Sequence, residues 1–229
     1  MELALICAQQ VIVLFLLIGV GTLAVKTGVL KLKHKQPLSN LLVNIVVPAM
    51  IVNSYQMEFS LEILRNLLAA FGLSILTIAL GTVLTLALTA RRKNSRTAIF
   101  RFASIFSNAA YMGFPLISAL FGSEGLLYAS AYVTVFNVLL WTLGYSMVSG
   151  SSDPKAVVKS LAHTPAIYAV LVGLAIYLLQ IPIPALLAQP ISLLGAMNTP
   201  LSMLITGMLI AAGDLKSICL LYTSPSPRD

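Results

Sequence analysis

The densest chemistry in this chain lies at residues 106–116, Phe-Ser-Asn-Ala-Ala-Tyr-Met-Gly-Phe-Pro-Leu. Two hydrogen-bonding side chains, Asn108 and Tyr111, stand just before Gly113 and Pro115, and all four fall inside an apolar run. Proline lacks a backbone donor and its ring clashes with the carbonyl four residues earlier, so a helix through this run should break near Gly113 and Pro115. At membrane depth such a break is tolerated only where the freed backbone is buried in protein or lines a wet cavity. Asn108 and Tyr111 are therefore expected to face a cavity. A half-helix starting near Pro115 would direct free N–H groups and its positive dipole end toward the same space, which suits an anion and a carboxylate above all. Asn137, in Val-Phe-Asn-Val-Leu-Leu-Trp, is a lone amide in an apolar helix that either joins this cavity or hydrogen-bonds a neighbouring helix.

Other chemistries have no visible basis. Cys7 and Cys219 make no disulfide framework, His34 and His163 fall in expected loops, and neither paired carboxylates nor a His-Glu-x-x-His pattern occurs. The chain is read as a non-enzyme with no metal and no cofactor. It also contains no nucleotide-binding loop.

The elements that must position these residues follow from composition. Of 229 residues, 59% are hydrophobic and 9% charged, against about 25% charged in an ordinary soluble domain. That excludes a soluble globular protein. The formal charge is +7, but the cations cluster between apolar runs, as membrane loops do, and not as a nucleic-acid surface would. Runs of about 20 apolar residues span a bilayer, and seven are expected, at residues 3–25, 38–55, 67–90, 98–121, 126–148, 165–179 with an extension to 183, and 191–212. The first opens with Glu2 and leads directly into others, so it reads as a retained span and not as a signal peptide. Lys26, Lys31, Lys33 and Lys35, then Arg91, Arg92, Lys93, Arg96 and Arg101, then Lys155 and Lys159 follow the odd-numbered spans, whereas Arg65 alone follows an even one. Retention of cations on the cytoplasmic side places the amino terminus outside.

A repeat is visible as well. Gln36-Pro37-Leu38-Ser39 precedes the second span and Gln189-Pro190-Ile191-Ser192 the seventh, with Pro48 and Pro200 inside those spans. Matching the seventh span to the second makes the unit five helices. An odd unit re-enters the membrane with opposite polarity, so its two copies are inverted. Residues 1–149 would form the first repeat and 150–221 an incomplete second, within a parent of about 304 residues. Residues 222–229, Tyr-Thr-Ser-Pro-Ser-Pro-Arg-Asp, read either as adaptor-derived read-through or as a natural disordered tail. Pro48 and Pro200 are either packing kinks or site elements, and Asn198 either a site element or a contact between helices. Gly19, Gly21, Gly72, Gly81 and Gly207 read as close-packing positions.

Ser-Asn-Ala-Ala-Tyr-Met-Gly-Phe-Pro-Leu at 107–116, Val-Pro-Ala-Met-Ile at 47–51 and Asn-Thr-Pro-Leu-Ser-Met at 198–203 resemble the auxin efflux carrier family of permeases, in particular bacterial members described as malate or malonate permeases. The resemblance covers residues 5–215. It implies an all-α polytopic membrane protein, about seven helices of a ten-helix, five-plus-five inverted-repeat fold whose fourth and ninth helices are broken and cross at mid-membrane. It places Asn108 and Pro115 at that crossover, with Asn137, Asn53 or Ser54 as neighbours, and it implies a homodimer in the bacterial inner membrane. The expected function is secondary transport of a small organic anion by alternating access, driven by the substrate gradient or by H+ or another coupling ion. The competing reading is a seven-helix receptor, which matches the span count and the outside amino terminus but leaves the repeat and the broken helix without a role.

Overall fold

The computed structural model describes residues 2–91, 96–106, 113–144, 146–147 and 164–213, and the described residues form helices throughout. Helix α1 (Glu2–Lys26) is 25 residues long and ends at Lys26, with Gly28 at positive φ just beyond. A short 3-10 turn (Leu32–His34) then leads into α2 (Lys35–Leu41), a π-helical stretch (Leu42–Val46) and α3 (Val47–Ser54). The π stretch has a local cause. Pro48 has no N–H and would clash with the Asn44 carbonyl in a regular α-helix, so the turn before it widens, and the Val47 N–H bonds to the Leu42 carbonyl five residues back.

Helix α4 (Leu61–Thr89) runs for 29 residues, of which only Leu67, Ser74, Ile78 and Thr89 are buried. Ile63, Leu64, Ala70 and Phe71 pack partly buried against the core, and Leu68, Leu73, Ile75, Leu76, Leu80, Val83, Leu84 and Leu88 form an exposed apolar perimeter. Helix α5 (Arg96–Ile105) is tied to the end of α4 by Arg101, whose Nε donates to Thr89 Oγ1 at 2.7 Å and whose Nη2 donates to the Thr89 carbonyl at 3.1 Å. This guanidinium caps the open carbonyl end of α4. Helix α6 (Phe114–Leu139) is two arms joined at Gly122, where φ 59° and ψ −147° lie in a region essentially reserved for glycine. The second arm continues through a π turn (Leu140–Gly144). Next come α7 (Pro165–Leu179), α8 (Ala185–Ala196) and α9 (Asn198–Ala212).

Five segments of the described residues are long and apolar enough to cross a membrane: Ala8–Lys26, Leu32–Ser54, Leu61–Thr89, Phe114–Gly144 and Ala185–Ala212. The shorter apolar helix Pro165–Leu179 accompanies them. The expected fourth and fifth spans map onto α5 and the two arms of α6. The break expected near Gly113 and Pro115 falls where α6 starts, at Phe114, and residues 107–112, which include Asn108 and Tyr111, lie outside the described residues. The last span starts earlier than expected, at Ala185, because α8 accommodates Pro190 in its interior.

Two helix pairs that join the start of the chain to its end show close approach at glycine. Helix α1 lies on α9, where a Cβ on Gly21 would strike the Leu204 backbone and one on Gly207 would strike the backbone of Ile18 and Thr22. Thr22 Oγ1 adds hydrogen bonds to the carbonyls of Ile18 and Gly207, both at 3.0 Å. Helix α3 leads to Tyr55, which lies on α7: a Cβ on Gly173 would stand 2.6 Å from Tyr55 Cδ2. Without a hydrophobic force between helices in lipid, such close backbone approach and carbonyl-directed bonds are what association draws on. Gly19, Gly72 and Gly81 depart from the expectation, because nothing stands within 4 Å of a Cβ built on them. Among the described residues they are not packing sites. The largest core cluster joins α3, the second arm of α6, α7 and α9 through Val46, Ile51, Tyr55, Leu127, Val170 and Ile205.

Candidate functional site

A cavity of about 360 Å³ opens where α3, the turn of α6 and the α8–α9 junction meet. Helix α3 contributes Met50 and Asn53, α6 contributes Ser118, Gly122, Ser123 and Leu126, α8 contributes Ser192, Gly195 and Ala196, and α9 begins with Asn198 and Thr199. Each wall has a local reason. The Gly122 conformation folds the second arm of α6 away from the first, leaving Ser118 and Ser123 on either side of the turn. Gly195 lets α8 approach α3 closely, since a Cβ there would stand 2.9 Å from the Met50 Cα. Pro200 is the third residue of α9, and the chain changes from α8 to α9 at Met197, just after Ala196, the residue four before the proline whose carbonyl its ring would meet and its nitrogen cannot bond.

Among the described residues the lining is uncharged, with the amides and hydroxyls of Asn53, Ser118, Ser123, Ser192, Asn198 and Thr199 beside the apolar Met50, Leu126 and Ala196. Its amides and hydroxyls can both donate and accept hydrogen bonds, and its volume lies in the range of small-molecule pockets. Asn198 is 2% exposed, and its Oδ1 has no hydrogen-bond partner among the described residues. An unsatisfied buried acceptor is costly and calls for a reason other than packing.

The structure brings together two of the residues singled out from the sequence, Asn53 and Asn198, which stand 145 positions apart in the chain. Ser54 is buried and donates to the Ile51 carbonyl at 2.7 Å, turned into its own helix. Pro115 and Phe114 are buried in the core at the start of α6, with Gly113 just before them, so the helix start lies about a turn from Ser118 and does not line the cavity. Asn137 is partly buried in the second arm of α6, next to Phe136, whose ring centroid lies 5.6 Å from that of Phe106 at the end of α5. It thus stands at the level where residues 107–112 begin, not among the cavity residues. Pro48 follows the π stretch and is partly buried, and Pro200 is exposed.

Ser118, Ser123, Gly195 and Thr199 were not legible as site residues, because serines and threonines in apolar helices ordinarily bond to their own backbone. Ser192 did carry a signal, as the last residue of the repeated Gln-Pro-x-Ser.

Comparison with known proteins agrees with a site of this kind. A family model described as "membrane transport protein" matches residues 6–162 and 152–224. An uncharacterized transporter of Methanothermobacter thermautotrophicus is 26% identical over 180 residues, covering 76% of this chain and 58% of the relative. An uncharacterized transporter of Methanocaldococcus jannaschii is 23% identical over 219 residues, covering 90% of this chain and 70% of the relative. The chain therefore spans about six to seven tenths of the length of these relatives. The polytopic helical fold and the match along nearly the whole sequence identify this chain as a member of the membrane transport protein family.

Proposed function

We propose that the protein is a secondary transporter of a small organic anion, a mono- or dicarboxylate of the malate or malonate type, and that the cavity between Asn53 and Asn198 is part of its substrate site. The carrying observation is an uncharged chamber of amides and hydroxyls inside a membrane bundle. Such groups can replace the water around a carboxylate without fixing it so tightly that release fails. The lining holds no carboxylate to repel an anion, and Lys31, Lys33 and Lys35 gather at one end of the bundle, where they raise the local concentration of anions. On this reading the lysine-rich end is cytoplasmic, the amino terminus is outside the bacterial inner membrane, and H+ or another ion, or the substrate gradient alone, drives the movement. The resemblance adds a homodimer. Family membership favours this reading over a seven-helix receptor.

The repeat supports alternating access. Gly21 and Gly173 are 152 residues apart, as are Tyr55 and Gly207, and Pro48 and Pro200. Gly21 and Gly207 meet across α1 and α9, while Gly173 and Tyr55 meet between α7 and the end of α3, so equivalent positions of the two repeats make equivalent contacts. Because each pair joins one repeat to the other, on this reading α1–α3 and α7–α9 move as one body and α4–α6 as the second, with the cavity and the core face that α6 shares with α3, α7 and α9 between them. Gly113, Pro115 and Asn137 belong to the broken-helix side of this second body, and Asn108 and Tyr111, outside the described residues, are assigned to the site on the resemblance alone.

The test is uptake of radiolabelled mono- and dicarboxylates by the full-length protein in proteoliposomes, with and without a pH gradient, comparing wild type with Asn53→Ala, Asn198→Ala and Asn108→Ala. The expected result is accumulation by wild type and a loss of about tenfold or more in each variant, the value of one good polar contact. Uptake of every carboxylate at the rate of protein-free liposomes would overturn the function, and wild-type uptake by Asn53→Ala and Asn198→Ala would overturn the site.

A further inference from the structure

The core that joins α3, α7 and α9 to the second arm of α6 is built of apolar side chains, with a pair of hydroxyls set in it. Tyr55, just past the end of α3, stands with its Oη 2.9 Å from Ser130 Oγ on α6. Ser130 gives its own proton to the Leu127 carbonyl at 2.7 Å, so Tyr55 is the donor between them. Both residues are fully buried, as are Leu127 and Ala131 beside the serine. No water competes for the bond, and dry surroundings strengthen it.

Tyr55 is fastened to the body formed by α1–α3 and α7–α9. Its ring lies against Gly173 of α7, and the chain that follows it is clasped to the same helix. Tyr177 Oη donates to the Ser60 carbonyl at 2.9 Å and accepts from the Ser60 N–H at 3.1 Å, with the Phe59 ring centroid 5.6 Å from its own. Gln180 Nε2 donates to the Tyr177 carbonyl at 2.6 Å and to the Met57 carbonyl at 3.4 Å. A displacement of α6 relative to α7 therefore breaks the bond to Ser130 and leaves the tyrosine in place.

The repeat makes that bond one-sided. Two inverted repeats exchange conformations when a carrier switches the side it faces, so a contact available to both repeats is remade and a contact available to one is lost. At the offset of 152 residues that pairs Pro48 with Pro200, Tyr55 corresponds to Gly207. Glycine has no side chain to donate, and Gly207 packs instead against the backbone of Ile18 and Thr22 on α1.

We infer that the Tyr55–Ser130 hydrogen bond is a latch between the two bodies that favours this arrangement over the opposite-facing one. This rests on the two-body reading given above. The latch closes at the end where α3 and α7 finish, away from Lys31, Lys33 and Lys35, so the carrier rests closed at that end.

Pulsed electron paramagnetic resonance tests the latch without relying on transport. In the full-length protein carrying Cys7→Ser and Cys219→Ser, spin labels are attached at Leu68→Cys on α4 and Leu171→Cys on α7, which are 63% and 59% exposed, and the distance between them is measured in lipid nanodiscs. The expected result is two distances, with the population of the second relative to the first raised about fivefold by Tyr55→Phe, the factor one hydrogen bond sets. Ser130→Ala removes the same bond from the other side and gives the same shift, and the two substitutions combined give no more than either alone. Thr22→Val removes a hydroxyl that bonds the Gly207 carbonyl inside the first body and leaves the ratio unchanged. A ratio unmoved by Tyr55→Phe and Ser130→Ala, or a single distance in every variant, overturns the latch, as does an equal shift in Thr22→Val. Carboxylate uptake is scored in the same preparations: no uptake with a shifted ratio overturns the substrate reading alone, and uptake with an unmoved ratio overturns the latch alone.

Discussion

Tyr55 concentrates more of the fold's specificity than any other side chain described. It is fully buried, its ring fills the space left by Gly173, and its Oη shares a 2.9 Å hydrogen bond with Ser130 Oγ on α6. Ser130 in turn donates to the Leu127 carbonyl at 2.7 Å, so it keeps a partner when the tyrosine hydroxyl is removed. Tyr55→Phe is therefore expected to cost only about 0.5–1.5 kcal/mol, read as a small fall in unfolding temperature in detergent. Gly173→Ala must displace the ring and should cost about 1–3 kcal/mol in the same measurement. Asn198 behaves in the opposite way. Its Oδ1 satisfies no bond, so Asn198→Ala should leave the unfolding temperature unchanged or raised while uptake falls, and a clear loss of stability would mark it as a structural amide. Asn53 and Asn198 were reached through the family resemblance, Asn53 as a neighbour of the crossover and Asn198 as the first residue of Asn-Thr-Pro-Leu-Ser-Met. Ser54 was not separable from them, since its bond to the Ile51 carbonyl depends on a rotamer that no spacing reveals.

At the scale of elements, irregularities locate the site better than regular helix does. Two coincide with it, the turn at Gly122 and the junction at Met197 before Pro200, and a third, the π stretch before Pro48, lies about a turn ahead of Met50 on the cavity wall. Both prolines were readable as breaks from their chemistry alone, but the form of the break was not. One span absorbs its proline by widening a turn, the other by changing helix. Gly122 adopts a backbone conformation that a side chain strains, so Gly122→Ala should destabilise the protein by roughly 1–3 kcal/mol, although a Cβ there meets nothing within 4 Å. Gly72→Ala and Gly81→Ala, in the interior of α4 with equally open surroundings, should instead be neutral or stabilising by up to about 1 kcal/mol. Thermal melts of the three variants side by side check this contrast. Sequence could not draw it, because a glycine on lipid and a glycine at a turn look alike until the neighbours are known.

At the scale of the whole molecule, the spans were legible because hydropathy reports the bilayer and not the fold. Which helices touch was not legible, since lipid-facing and protein-facing surfaces are equally apolar. The seam of α1 on α9 shows the difficulty: Gly21 and Gly207 make it, while Gly19, two residues away, does not. Gly21→Leu or Gly207→Leu should separate the two helices and lower the unfolding temperature far more than Gly19→Leu, the measurement again being a melt in detergent. Helix α4 poses the converse case. Anchored along the slender line of Leu67, Ser74, Ile78 and Thr89, and clasped to α5 by Arg101, it greets the bilayer around most of its circumference. Carried sideways with its companions, it trades one set of fatty chains for another of the same kind. The surrounding solvent therefore offers that journey almost no resistance, and what governs it is the grip of the neighbouring helices alone.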